Sequence, residues 1–72
     1  MKKINTIIYN LRTHKKLSQQ KLAELIGCRQ ASISDWELGR QIPNGEYLIK
    51  LNEVFGGKLF DELGKDSPVV PS

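Results

Sequence analysis

Arg29, Gln30, Ala31, Ser34 and Asp35 stand close together in the chain and carry the groups that read base edges in duplex DNA. An arginine can pair bidentately with guanine and a glutamine with adenine. An alanine methyl can meet that of thymine, and an aspartate can accept from cytosine N4. Such side chains read a base only when a stiff element holds them out together. Ile33 and Trp36, three apart, supply the counterweight. If they point into a core from a helix running from about Arg29 to Leu38, the opposite face is fixed, and those residues lie outward or at its exposed N-terminal end. The same pattern also describes a solvated helix face on a protein that binds something else.

The segment before this helix reads as its brace. Ser18 can cap a helix that begins at Gln19, because its hydroxyl can accept an orphan backbone N–H. Leu22, Leu25 and Ile26 recur at helical spacing and predict a buried stripe. Ala23 lies beside it, small enough for a second helix to cross closely. Gly27 ends the helix in a left-handed turn that only glycine adopts without steric cost. Gly39 stops the following helix, and Pro43 keeps it from resuming. Leu22, Ala23, Ile26, Cys28, Ile33 and Trp36 thus fall where two helices around a tight turn need apolar or small residues.

A helix over about Lys3 to Lys15 should precede the pair, with Ile4, Ile7, Ile8 and Leu11 as its apolar stripe. Leu17 anchors the link that follows, where Lys15 and Lys16 lie. His14 has no second His, Cys or carboxylate at ligand spacing and reads as a helix-end residue. After the loop GRQIPN, a fourth helix runs from Asn44 or Gly45 to Phe55, with Tyr47, Leu48, Leu51, Val54 and Phe55 apolar. A short fifth helix is expected over Leu59 to Leu63. Residues 1–64 then form one all-α domain, and 65–72, KDSPVVPS, read as a disordered tail.

At 72 residues there is room for one small core. No run approaches the ~20 apolar residues of a membrane span. Met1-Lys2-Lys3 is basic, but Asn5, Tyr9, Asn10 and Arg12 break any apolar run that would make a signal peptide. The single cysteine, Cys28, is expected to be a buried thiol rather than a redox centre or ligand. A cytoplasmic protein, working at the nucleoid of a bacterial cell, is the simplest expectation. Net charge is +3 but uneven. Residues 1–40 hold eight Lys/Arg against three Asp/Glu, and 41–72 hold three against five. The basic half is the half that carries the motif, which suits a phosphate-facing surface.

The segment LRTHKKLSQQKLAELIGCRQASISDWELGRQIP resembles the Cro/phage-repressor (XRE-type) helix-turn-helix family. The likeness rests on LSQQKLAELIG, on SISDWE and on the GRQIP exit, and extends over about residues 4–56. It implies a compact five-helix, lambda-repressor-like domain with the third helix as the recognition helix. It places Arg29, Gln30, Ala31, Ser34 and Asp35 at or near base-reading positions. Ser18, Gln19, Ser32 and Arg40 take phosphate-facing positions, with Lys15 and Lys16 beside the backbone. Arg12 and Glu37 match an ion pair that ties helix one to helix three. Two departures stand out. The Gly56-Gly57-Lys58 junction replaces a more apolar, better-capped start to helix five, at the end of the domain that related repressors use to dimerise. Asp35 puts a negative charge where the family often carries a neutral or basic side chain; it could read cytosine or pair with Arg29.

The leading expectation is a sequence-specific transcriptional regulator that occupies double-stranded operator DNA, as a homodimer or with another repressor protein. The alternative is a module on the same fold that binds a protein, as a repressor modulator or an antitoxin does. Phe60 bears on that choice: it either closes the core, the reading we favour, or stands exposed beside inward-facing Leu59 and Leu63. Nothing in the spacing suggests an enzyme, a metal, a cofactor or a small-molecule ligand. The aromatic platforms that stack single-stranded RNA bases are missing as well.

Overall fold

The ends of the helices decide where this chain turns, and three of them are closed in one repeated way. The computed structural model describes residues 4–65. They form α1 (Ile4–His14), α2 (Gln19–Ile26), α3 (Gln30–Leu38), α4 (Gly45–Val54) and α5 (Lys58–Lys65), the all-α, five-helix architecture expected. After α3, Gly39 takes φ +79°, Gly39 N–H donates to Trp36 O and Arg40 N–H reaches back to Asp35 O at 2.9 Å. After α4 the same pair of bonds joins Gly56 to Glu53 and Gly57 to Asn52. After α1 they join Lys16 to Thr13 and Leu17 to Arg12. Each satisfies carbonyls that a helix end leaves open. At α1, however, the left-handed residue is Lys16, with φ +60°.

The starts are capped by side chains. Ser18 Oγ accepts from Lys21 N–H at 2.9 Å, as its position predicts. Asn44 Oδ1 does the same for Tyr47 N–H at 3.0 Å. Arg29 occupies the cap position of α3 without a side-chain bond, so that helix starts one residue later than its pattern suggests. At α5 the cap comes from another helix. Asn52 Oδ1, on α4, accepts Phe60 N–H at 2.9 Å. The glycine-rich junction is therefore not the poorly capped start its sequence suggests.

One core holds the helices together. Ile7 and Ile8 of α1, Leu22, Ala23 and Ile26 of α2, Ile33 and Trp36 of α3, Leu51 and Phe55 from α4 and its end, and Leu59 of α5 are all buried. α3 packs on both α1 and α2, while α5 packs on α1 and α4. Trp36 meets Tyr47 with ring centroids 5.4 Å apart. Burying each large aliphatic group contributes about 1.5–3 kcal/mol.

Three expectations about burial need correction. Leu25 is 51% exposed. Ala23 draws the buried arc of α2 to the far side of Leu22, which leaves Leu25 about 60° beyond its edge at 100° per residue. Cys28 is half-buried rather than buried, because it lies just past the Gly27 turn and follows the chain out. Its Sγ donates to Arg29 O at 3.5 Å, and burial pushes the pKa of the thiol up, against the thiolate. Phe60 is 45% exposed and does not close the core; α5 turns Leu59 inward instead. The tail expected over 65–72 lies, beyond Lys65, outside the described residues.

Candidate nucleic-acid interface

The two faces of α3 separate as the pattern of Ile33 and Trp36 requires. Those two side chains are buried, while Arg29, Gln30 and Ala31 are exposed at the helix start. Ser32, Ser34 and Asp35 are half-buried. Asp35 pairs with Arg40 across 3.8 Å rather than with Arg29. The reason is the turn at Gly39, which folds Arg40 back over the last turn of α3. Arg40 keeps 72% of its side chain exposed, so the contact leaves it accessible and holds little energy.

The link between α1 and α2 lies at the start of α2. Lys15, Lys16 and Ser18 are exposed there. Among the described residues no carboxylate pairs with Lys15, Lys16 or Arg29, and these cations remain available to an anionic partner. Ser18 has its oxygen engaged in capping α2, with its hydroxyl proton left to donate elsewhere. His14 ends α1 and lines a shallow recess with Leu11, Lys15, Val54 and Phe55.

Behind the exposed face runs a connected set of polar groups. Arg12 Nε donates to Glu37 Oε2 at 2.5 Å, and Arg12 Nη2 donates to Glu37 Oε1 at 3.0 Å. Arg12 Nη1 donates to Leu17 O at 2.7 Å, which ties the α1–α2 link into the same cluster. Hydrogen bonding to Glu37 raises the Arg12 guanidinium's ionisation above its ordinary value, against the opposing effect of burial. The Arg12 head also sits 5.5 Å from the Tyr9 ring centroid. Asn5 Nδ2 donates to Glu37 O at 3.4 Å, so α1 grips the end of α3 a second time.

Two contacts in this set are not signalled by sequence spacing. Gln19 Nε2 donates to Glu37 Oε1 at 3.0 Å, and Gln30 Nε2 donates to Gln19 Oε1 at 3.4 Å. Periodicity marks Gln19 only as the first residue of a helix; its half-burial against α3 emerges from how α2 and α3 cross. The resulting array runs from Arg12 on α1, through Glu37 and Gln19, to Gln30 on the exposed face of α3.

This arrangement, two helices around a glycine turn with the second presenting its N-terminal face, matches the helix-turn-helix family profile over residues 8–63. The chain belongs to the helix-turn-helix family. The fold is similar to that of the P22 c2 repressor, solved in complex with synthetic operator 9T in the presence of Tl+. The TM-score is 0.75 at 28% identity, covering 78% of this chain and 85% of that one. Multiprotein-bridging factor 1a of Arabidopsis thaliana is 42% identical over 52 residues, which are 72% of this chain and 37% of that protein. The HTH-type transcriptional activator BcrR of Enterococcus faecalis is 39% identical over 59 residues, 82% of this chain and 28% of its own. The helix-turn-helix chain therefore spans well under half the length of the bridging factor and of BcrR.

Proposed function

We propose that this chain binds duplex DNA as a sequence-specific transcriptional regulator of Cro type, with α3 laid in the major groove. The observation that carries the reading is the division of α3. Ile33 and Trp36 lock one face into the core, while Arg29, Gln30 and Ala31 stand exposed on a fold similar to that of a repressor solved on its operator. Arg29, Gln30, Ala31, Ser34 and Asp35 take the base edges in this reading. Gln19, Ser18, Ser32, Arg40, Lys15 and Lys16 take phosphates and set the register. As a dimer, the protein reads two half-sites ~34 Å apart along the duplex. Adding duplex DNA to isotope-labelled protein tests the interface. The resonances of Arg29 to Asp35 and of Lys15 to Gln19 should move, and those of α5 should not. Shifts confined to α5, or none at all, would refute it.

A protein-binding role is the second reading. It is favoured by the exposure of Phe60 on α5 and by the likeness to proteins named as multiprotein-bridging factors. A chain that stays monomeric and co-purifies with another regulator would support it.

A further inference from the structure

Asn44 is the asparagine of this chain that precedes a glycine, and the fold leaves that junction open. Both residues are exposed. Gly45 begins α4, so its N–H has no partner within the helix, and among the described residues it donates to nothing. Its φ is not positive and nothing stands within 4 Å of where its Cβ would be, so the backbone does not require glycine here. The Asn44 side chain is held by one atom. Oδ1 accepts from Tyr47 N–H at 3.0 Å, while Nδ2 donates to no described residue. The other asparagines are placed differently. Asn10 and Asn52 are followed by N–H groups inside α1 and α4, which belong to the helix ladder. Asn5 precedes the branched Thr6, and its Nδ2 is held on Glu37 O.

We propose that Asn44–Gly45 is a modification site at which the chain alters itself: in water, without an enzyme, the asparagine becomes a mixture of aspartate and isoaspartate. Gly45 N gives up its proton to base and attacks Asn44 Cγ. The new N–C bond closes a cyclic imide, the Cγ–Nδ2 bond breaks, and Nδ2 takes up a proton and leaves as ammonia. Water then opens the imide at either carbonyl. At Cγ it restores the main chain and leaves aspartate. At the main-chain carbonyl it routes the chain through Cγ as isoaspartate. One water is consumed and one ammonia released, with no oxidation. The negative charge of the attack develops on Oδ1, where Tyr47 N–H already donates. The two products differ in what they do to the fold. Aspartate keeps the cap and adds a charge that is favourable at the start of α4. Isoaspartate turns the former Oδ1 into a main-chain oxygen, so the side-chain cap is lost. The Tyr47 ring centroid lies 5.4 Å from that of Trp36, which is buried on α3. Loss of the cap therefore loosens the first turn of α4 against one of the two residues that lock α3 into the core.

The test follows each asparagine separately. The 72-residue chain is kept folded at mildly alkaline pH, with a second sample in urea, and both are digested with trypsin. Cleavage after Arg40 and Lys50 leaves Asn44 as the only asparagine of QIPNGEYLIK, residues 41–50, while Asn5 and Asn10 fall in 4–12 and Asn52 in 51–58. In the folded sample the 41–50 peptide should gain the mass of an amide-to-acid exchange and split into two acid forms. The 4–12 and 51–58 peptides should stay amides. Gly45→Ala, for which the fold has room, should slow the conversion many-fold. No acid in the folded 41–50 peptide would overturn the inference, and acid in the urea sample at the same time would show that the fold shields the junction. It is equally wrong if only aspartate forms, or if Gly45→Ala reacts as fast as the wild type. Either result means that water attacks the side chain directly, without the imide. The separated isoaspartate form should unfold at a lower temperature than Asn44→Asp and shift the emission of Trp36, the one tryptophan, to longer wavelength. Identical melting and emission in the two would overturn the link to α3.

Discussion

Glu37 on α3 and Arg12 on α1 meet through two hydrogen bonds of 2.5 and 3.0 Å, with side chains almost closed off from solvent. The helix that presents the candidate base-reading face is therefore fastened to the first helix by a charged clamp as well as by Ile33 and Trp36. A pair this deep is costly to break, because whichever partner remains is stranded in a low-dielectric site.

Glu37→Ala should lower the unfolding free energy by about 3–5 kcal/mol, and Arg12→Ala by a similar amount, read from urea or thermal unfolding. Replacing both together with apolar residues of similar volume, Arg12→Met with Glu37→Leu, should recover most of that loss. The raised ionisation of Arg12 adds a sign. The stabilisation from a group whose folded pKa is raised is complete below its unfolded value and is lost only above it. Arginine keeps its charge throughout the range in which proteins fold, so its half of the pair adds no pH dependence between neutral and mildly alkaline conditions.

Lys16 holds a left-handed backbone at the end of α1, where the other helix ends that close in this way use glycine. Lys16→Gly should raise stability by up to about 1 kcal/mol, the relief of the Cβ clash less the extra freedom gained by the unfolded chain. If Lys16 also faces a phosphate, the same substitution should weaken DNA binding and reduce its salt slope by about 1. A variant that melts later yet binds more weakly carries both effects at once.

Asn52→Ala removes the cap that α4 lends to α5. The expected cost is about 1 kcal/mol, and hydrogen exchange at the Phe60 amide should quicken more than exchange in α2 or α3. Unchanged protection at Phe60 would mean that α5 does not depend on Asn52.

Much of this architecture is legible in the sequence because it is written in local terms. Ser18 and Asn44 cap the helices they precede, Gly27 and Gly39 end the helices they follow, and Ile33 and Trp36 set the buried side of α3. What escapes the sequence depends on two elements meeting. Leu25 fits the apolar spacing of α2, yet Ala23 sets the direction of the contact. Asp35 could have paired with Arg29 on charge alone, but the Gly39 turn brings Arg40 to it instead. Asn52 and Gln19 look like ordinary polar helix residues until α5 and α3 are placed against them. Phe60 is apolar in a short helix, and only the register of Leu59 leaves it outside.

Arg29→Ala and Gln30→Ala should each relax specificity at one or two base positions, at a cost of about 1–3 kcal/mol in discrimination, with little change in stability because both side chains are exposed. Gln19→Ala should weaken binding to every sequence to a similar degree. Binding isotherms on matched and mismatched duplexes distinguish the two patterns.

The central claim, that α3 reads bases, is tested most directly by selecting bound sequences from a randomised duplex pool at physiological salt, with the wild type and Gln30→Ala side by side. The account predicts that the wild type enriches a defined site and that Gln30→Ala enriches the same site with the preference at one base position of each half-site lost. An identical site from both proteins, or no enriched site from the wild type, would contradict it.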